Sequence, residues 1–197
     1  MPSKPALLSN LKFYPATPKH WKELVNLFGP HGACGGCWCM LWRLPRAQWQ
    51  QQLGEKNRKA LKKIVDSGEI PGILAYANGK PIGWCAVAPR ETFQLLDRSR
   101  IIGRVDEKPV WSVVCFFVAK PFRQKGIGVA MLKSAAEYAR KKGAKIVEGY
   151  PIEPKKGKFP DVFANTGLAS AFRQAGFVET LRRSETRPIM RYYISNK

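Results

Sequence analysis

Acidic residues are scarce in this sequence. It has 14 Asp and Glu against 34 Lys and Arg, a formal charge of +20 over 197 residues. Such a field draws in polyanions and speeds their encounter, but it does not specify a fold. A phosphate-bearing cofactor, a nucleic acid and an acidic substrate all fit it, and charge alone does not choose among them. Long apolar runs are missing too. The longest, VWSVVCFFVA from Val110 to Ala119, falls far short of the roughly 20 residues that span a bilayer. That excludes a transmembrane helix and leaves a strand buried on both faces. The opening MPSKPALLSN has no basic stretch followed by an apolar run, so no signal peptide is expected. Cysteine is present five times, an odd number, and without an export signal these thiols are expected to be reduced in a cytoplasmic protein. No repeat, low-complexity segment or linker divides the chain, so residues 1–197 are expected to form one domain. What is there is a core: 45% hydrophobic and 11% aromatic residues exclude a disordered chain.

Residues 10–16 (NLKFYPA) read as a first strand. Thr17-Pro18 supplies an N-cap and a proline at the first helical position. The amphipathic helix HWKELVNLF follows and stops at Gly29-Pro30. After the irregular HGACGGCWCMLW, the stretch AQWQQQLGEKNRKALKKIVDSG is helical, broken near Gly54, with Leu61, Ile64 and Val65 on one face. GILAYANGKPIGWCAVAP holds two strands around Asn78-Gly79, a strong hairpin signal. ETFQLLDRS is a short helical piece, and Val110 to Val118 is the most apolar strand. Gly126 to Lys142 is a helix with Met131, Leu132, Ala135 and Ala139 on one side. Lys133, Glu137, Arg140 and Lys141 lie on the other. A strand (KIVEGYPI), a short helix (GLASAFRQA) and two strands (FVETL, IMRYYI) close the chain. The order predicts an α/β (α+β) layered fold.

The chemistry concentrates at the end of the apolar strand. There Ala119-Lys120-Pro121-Phe122 leads into Arg123-Gln124-Lys125-Gly126-Ile127-Gly128, and a helix opens at once. A helix N-terminus offers unpaired N–H groups and a partial positive charge, which suits a pyrophosphate. Glycines let the backbone approach the phosphates, and Arg123 and Lys125 add charge at the rim. The G-x-G alone is weak evidence, since a tight turn produces it as well. No G-K-[ST] is present for a P-loop, and the spacing is not the three-glycine dinucleotide fingerprint.

The string V-A-K-P-F-R-Q-K-G-I-G resembles the signature of the GNAT superfamily of N-acetyltransferases: strand, Pro, then R/Q-x-x-G-x-G/A opening a helix. The following strand–helix–strand and the A-F-R-Q-A-G-F helix end match as well, and element order agrees from about Leu11 to the C-terminus. The resemblance implies a central mixed, mostly antiparallel sheet of about six or seven strands, flanked by helices and splayed between two central parallel strands. It implies acetyl-CoA as cofactor and CoA as product. The pyrophosphate would be held by the amides of Arg123, Gln124, Lys125, Gly126, Ile127, Gly128 and Val129. Phe116, Phe117 and Val118 would pair with the pantetheine arm, and the strand Ile146 to Ile152 would splay away from them. The acceptor would be a primary amine of a small molecule or peptide, attacking the thioester directly. Such attack needs proximity, a base and an oxyanion donor. The amide of Val118 is the candidate donor. Glu148 is the first choice of base, with Tyr150 beside it on the same strand face and Asp106 and Glu107 as runners-up. Members of the superfamily often dimerise.

The sequence departs from the family where many members carry a Tyr acid on the last helix. That position is Phe172, which has no proton to give; Ser170 and Tyr150 are the substitutes. His31, Cys34, Cys37 and Cys39 form H-x2-C-x2-C-x-C, a spacing open to zinc or redox chemistry. The C-x-C is tight for a tetrahedral site and no second ligand pair follows, so no metal is assigned. A pocket wall or core, with Trp38, Met40 and Trp42, is the favoured role, and Cys115 is expected to pack. Arg58, Lys59, Lys62 and Lys63 make one basic helix face, and Lys155, Lys156 and Lys158 lie in one loop. A solvated surface accounts for both. A polyanion- or nucleic-acid-binding module on a catalytically degenerate GNAT fold is the competing function.

Overall fold

Asn78 and Gly79 both take positive φ, 50° and 73°, and fold the chain back on itself in the hairpin that organises the first half of the molecule. A computed structural model describes residues 8, 10–155 and 166–195. The strands are β1 (Lys12–Pro15), β2 (Gly72–Ala77), β3 (Lys80–Pro89), β4 (Trp111–Val118), β5 (Ile146–Gly149), β6 (Val178–Arg182) and β7 (Pro188–Tyr193). They form one seven-stranded sheet in the order β1-β2-β3-β4-β5-β7-β6. Every neighbouring pair is antiparallel except β4 with β5. The expected mixed, mostly antiparallel sheet is what forms. Among the described residues no helix is long and apolar enough to cross a membrane.

Helices cover both faces. On one side α5 (Ile127–Lys141) and α6 (Ala169–Gln174) bury Met131, Leu132, Ala135, Ala139 and Phe172 against Ile73, Ala75, Val113 and Val147. On the other, α1 (Trp21–Phe28), α3 (Glu55–Asp66) and the short α4 (Gln94–Asp97) bury Leu24, Phe28, Leu61 and Leu96 against Leu74, Trp84 and Val114. Successive β2 residues feed opposite cores, as the two-residue period of a strand requires. The small α2 (Arg46–Gln51) precedes α3, and Gly54 at φ 81° makes the break expected between them. On α5, Glu137 pairs with Arg140 at 2.7 Å and Lys141 at 3.8 Å on the exposed side.

Two local features position the site. The first is a bulge in β4: Cys115 pairs with Ala86, but Val113 pairs with Val87, so Val114 is an extra residue. Val114 and Cys115 consequently face the same core, and the end of β4 is re-aimed. The second is the brevity of the parallel pairing. Trp111, Ser112 and Val113 pair with Val147, Glu148 and Gly149, and beyond them the strands part. The strand read as Ile146 to Ile152 therefore ends at Gly149; Ile152 makes an isolated parallel bridge to Leu168 instead. Thr17 also differs from its expected role. Its hydroxyl hydrogen-bonds His20 Nδ1 at 2.9 Å rather than a helix amide. Lys156 and Lys158, in the loop read as basic, lie outside the described residues.

Candidate active site

The end of β4 turns through Lys120–Phe122, and Gln124 (φ 57°) and Gly126 (φ 76°) reverse the chain into α5. The first backbone bond at this end of the helix runs from Ala130 N to Gly126 O, 3.1 Å. The amides of residues 126–129 precede it and have no carbonyl one turn back, so they and the helix dipole face outward together. A Cβ added at Gly128 would meet nothing within 4 Å, so the helix start stands against open space.

That space is a cavity of about 320 Å³. Of the residues named from sequence as cofactor-binding, Phe116, Phe117, Val118, Arg123, Gln124, Gly126, Ile127, Gly128 and Val129 all line it. Lys125 is exposed and does not line it. The opposite wall is Ala33 and Cys34 from the loop after α1, and Gly167, Leu168, Ala171 and Phe172 around α6. Arg123 folds back, its Nε donating to Val118 O at 3.0 Å. Ala119 N donates to Ile82 O at 2.9 Å, which fixes the phase of the β3–β4 ladder. By the alternation of antiparallel pairs, the N–H groups of Phe116 and Val118 then point away from β3, into the gap where β4 and β5 part.

At the apex of that gap lies a buried ionic cluster. Glu148, 1% exposed, accepts from Arg90 Nη1 at 3.1 Å and Tyr150 OH at 2.8 Å on one oxygen, and from Arg191 Nε at 2.7 Å on the other. Tyr150 OH also bonds Arg90 and, at 2.8 Å, Ser112 Oγ. Arg191 reaches on to Asp106 at 2.7 and 2.9 Å, and Arg90 to Asp97 at 2.9 Å. Burial, and then the charge of Glu148, push the Tyr150 phenol well above its ordinary range, so it keeps its proton. Hydrogen bonding from Arg191 pulls Asp106 down to about 2.

The catalytic candidates from sequence are thus divided. Val118 lines the cavity, whereas Glu148 and Tyr150 are brought together behind it and do not. Both oxygens of Glu148 are engaged, by Arg90, Tyr150 and Arg191, and the carboxylate lies buried at the apex rather than in the cavity. Asp106 is committed to Arg191, and Glu107 is exposed. Phe172 is fully buried, its ring filling the place of the absent side chain of Gly149: a Cβ there would lie 2.2 Å from Phe172 Cε1. Tyr150 packs in the other core and so does not occupy the position of a tyrosine at 172. Ser170 is exposed and does not line the cavity.

The His/Cys segment does not converge. His31 and Cys34 are exposed, while Trp38, Cys39 and Met40 are buried. Among the described residues no three of His, Cys, Asp or Glu gather as a metal site. Cys39 Sγ lies 3.3 Å from Cys115 Sγ and accepts from Trp84 Nε1 at 3.1 Å. From this segment Ala33 and Cys34 wall the cavity, while Trp38 and Met40 take the core alternative, buried with Trp42 packed against them. Sequence reasoning missed Arg90, Asp97, Ser112 and Arg191, and the far wall of Gly167, Leu168 and Ala171. For the arginines the available signal was a charged residue set directly beside apolar strand residues, as in Ile189-Met190-Arg191.

A layered α/β sheet with its two central parallel strands parted over a helix N-terminus defines the class of fold. The Acetyltransferase (GNAT) family model matches residues 38–150, and the chain belongs to that family. An uncharacterised N-acetyltransferase of Methanocaldococcus jannaschii is 35% identical over 96 residues, which take in 49% of this chain and 38% of that protein. Among solved structures, the PaiA N-acetyltransferase of Thermoplasma acidophilum in complex with coenzyme A is 13% identical with a TM-score of 0.52, over 93% of this chain and 99% of that one. A GNAT-family acetyltransferase of Streptococcus agalactiae is 12% identical with a TM-score of 0.57, over 94% and 96%. These two share the fold.

Proposed function

We propose that the chain is an acetyl-CoA-dependent N-acetyltransferase, one acyltransferase domain that transfers an acetyl group to the primary amine of a small molecule or peptide by direct attack. The observation that carries this reading is one continuous cavity. It joins the unpaired amides of residues 126–129 to the unpaired edge of β4. The groups fit the cofactor. Amides at a helix start, with Arg123 and Lys125 at the rim, suit a pyrophosphate. The free edge of β4 at Phe116 to Val118 suits the amides of a pantetheine arm, as an added strand would. Bound acetyl-CoA supplies the activated acyl carbon.

The Val118 N–H is assigned to the thioester oxygen, where developing negative charge strengthens the hydrogen bond. Arg123 holds the same residue from its carbonyl side, which keeps that N–H aimed. Glu148 and Tyr150 are assigned a positioning role. With Arg90 and Arg191 they fix the apex of the gap, and the acceptor's proton leaves to solvent rather than to Glu148. Titration calorimetry with acetyl-CoA, followed by an amine screen for CoA release, tests the proposal. Micromolar binding and turnover of at least one amine are expected; no binding heat to the folded protein overturns it.

A further inference from the structure

The outer end of the sheet, on the face covered by α1 and α3, carries a second arrangement that acyl transfer does not use. On α3 the buried Asn57, Leu61 and Val65 set the inward side. Lys56, Lys59 and Lys63 stand opposite, a stripe about 10 Å long at the helical rise. All three are exposed and form no ion pair among the described residues; the same holds for Lys12, Lys19 and Lys22 on β1, the following turn and α1. The acids of α3 are already engaged, Glu55 with Arg58 at 3.1 Å and Asp66 with Lys62 at 2.5 Å.

Aromatic rings connect these two groups of lysines. Lys62 and Arg58 lie over the rings of Trp21 and Trp38, each at 5.6 Å, and those rings stack at 6.2 Å. His20, next to Trp21, stacks on Tyr14 with centroids 5.7 Å apart and planes 16° apart; Tyr14 is 40% exposed. Tyr76 meets Tyr14 edge-on at 5.3 Å. Beside these rings opens a cavity of about 660 Å³, whose lining includes Lys12, Lys19, Asn10, Asn78 and Glu23.

We propose that this face binds a single-stranded polynucleotide, one base lying against Tyr14 in the cavity and the phosphates following Lys12, Lys19 and Lys22 toward the lysine stripe of α3. An exposed ring, here Tyr14, set in a basic track is what an unpaired base and its backbone require together. A partner with phosphates alone, such as an anionic membrane, gains nothing from the Tyr14 ring or from Asn10 and Asn78; Glu23 in the same lining already accepts the Tyr76 hydroxyl at 2.7 Å. A base uses both, since side-chain amides match the donors and acceptors of its edge. The strand is single, because a paired base would first have to be flipped out of its stack and nothing at Tyr14 offsets that cost. The inference stands independently of the acyl-transfer reading, since the pyrophosphate loop is a separate cavity.

Fluorescence anisotropy with a labelled 16-nucleotide single-stranded RNA tests it on the full chain. Binding is expected to weaken with salt at a slope of about −3, the release expected for roughly four neutralised phosphates. Tyr14→Ala should weaken binding about tenfold with the slope kept, because it removes stacking and no charge. Lys59→Glu with Lys63→Glu should weaken it further and flatten the slope, whereas Lys133→Glu on α5 with Lys142→Glu just past its end should do neither. Saturating coenzyme A should leave the affinity unchanged. Equal loss from the α5 pair, no effect of Tyr14→Ala, competition by coenzyme A, or binding to anionic vesicles but not to RNA would each overturn the proposal. Thermal unfolding of each variant confirms that it is folded before it is titrated.

Discussion

Two regions meet at the parting of β4 and β5, and they are made in opposite ways. The cavity side is built from backbone: amides at the start of α5, the free edge of β4, and a glycine that leaves space. The apex is built from side chains, with Arg90, Glu148, Tyr150 and Arg191 almost wholly buried around Ser112. Backbone donors are held in direction by the fold itself, so they serve a ligand without neighbours to orient them. Buried charges depend on every partner being present. The first region is tuned for binding, and the second for holding the strands in place.

The comparison breaks most visibly at Glu148. Glu148→Ala removes the buried acceptor shared by Arg90 and Arg191 and leaves each only its outer carboxylate, Asp97 or Asp106, which by analogy with other broken buried pairs costs about 3 kcal/mol. A fall in Tm on the order of 10 °C is expected by calorimetry, with acetyl-CoA affinity changed only a few-fold in the folded protein. A large loss of turnover without loss of stability would instead return Glu148 to the role of base. Gly128→Leu is the converse. The new side chain enters the cavity rather than the core, so cofactor affinity should drop about 100-fold, roughly 2.8 kcal/mol, while Tm stays within about 2 °C. Equilibrium binding against a melting curve separates the two.

Acid sharpens the same contrast. Asp106 is held at about 2 by Arg191, below the roughly 3.9 of an unfolded aspartate. Its contribution is therefore full above about pH 4 and lost as pH falls through 2. Asp106→Asn should remove that part of the acid dependence in denaturant titrations between pH 4 and 2, and a slope unchanged from wild type would contradict the pairing. The smallest effect concerns thiols. Cys34 is exposed and lines the cavity. Burial pushes the Cys37 and Cys85 thiols up, and the Cys115 contact followed by burial does the same for Cys39. Iodoacetamide at neutral pH should therefore reach Cys34 before those three. Saturating coenzyme A should slow that alkylation about tenfold by occupying the cavity; mass spectrometry of tryptic peptides would show no slowing if the cavity were not the cofactor site.

The difference between the regions also governs what was legible from sequence. Arg123 to Val129 is contiguous, and its glycines announce a backbone conformation before any fold is known. The Asn78-Gly79 turn and the apolar stripe of α5 were readable for the same reason: each is a local rule. The ionic apex draws on positions 90, 97, 106, 112, 148, 150 and 191, and no local pattern says that they meet. Glu148 was named from sequence as a base without its arginine partners, which lie 58 and 43 residues away in the chain. The bulge at Val114, which swaps the faces of the β4 residues beyond it, is likewise invisible in an uninterrupted apolar run.

The three-residue pairing of β4 with β5 has one more consequence. Strands β1 to β4 are joined in chain order and antiparallel, and β5 to β7 make a separate antiparallel group. The sheet's narrowest backbone seam lies between these groups, bridged by the cores on both faces and by the ionic apex, and native-state hydrogen exchange should find an opening there at lower free energy than global unfolding. A molecule seated in the gap binds only when the groups are together. It would raise the opening energy of both and make them exchange as one.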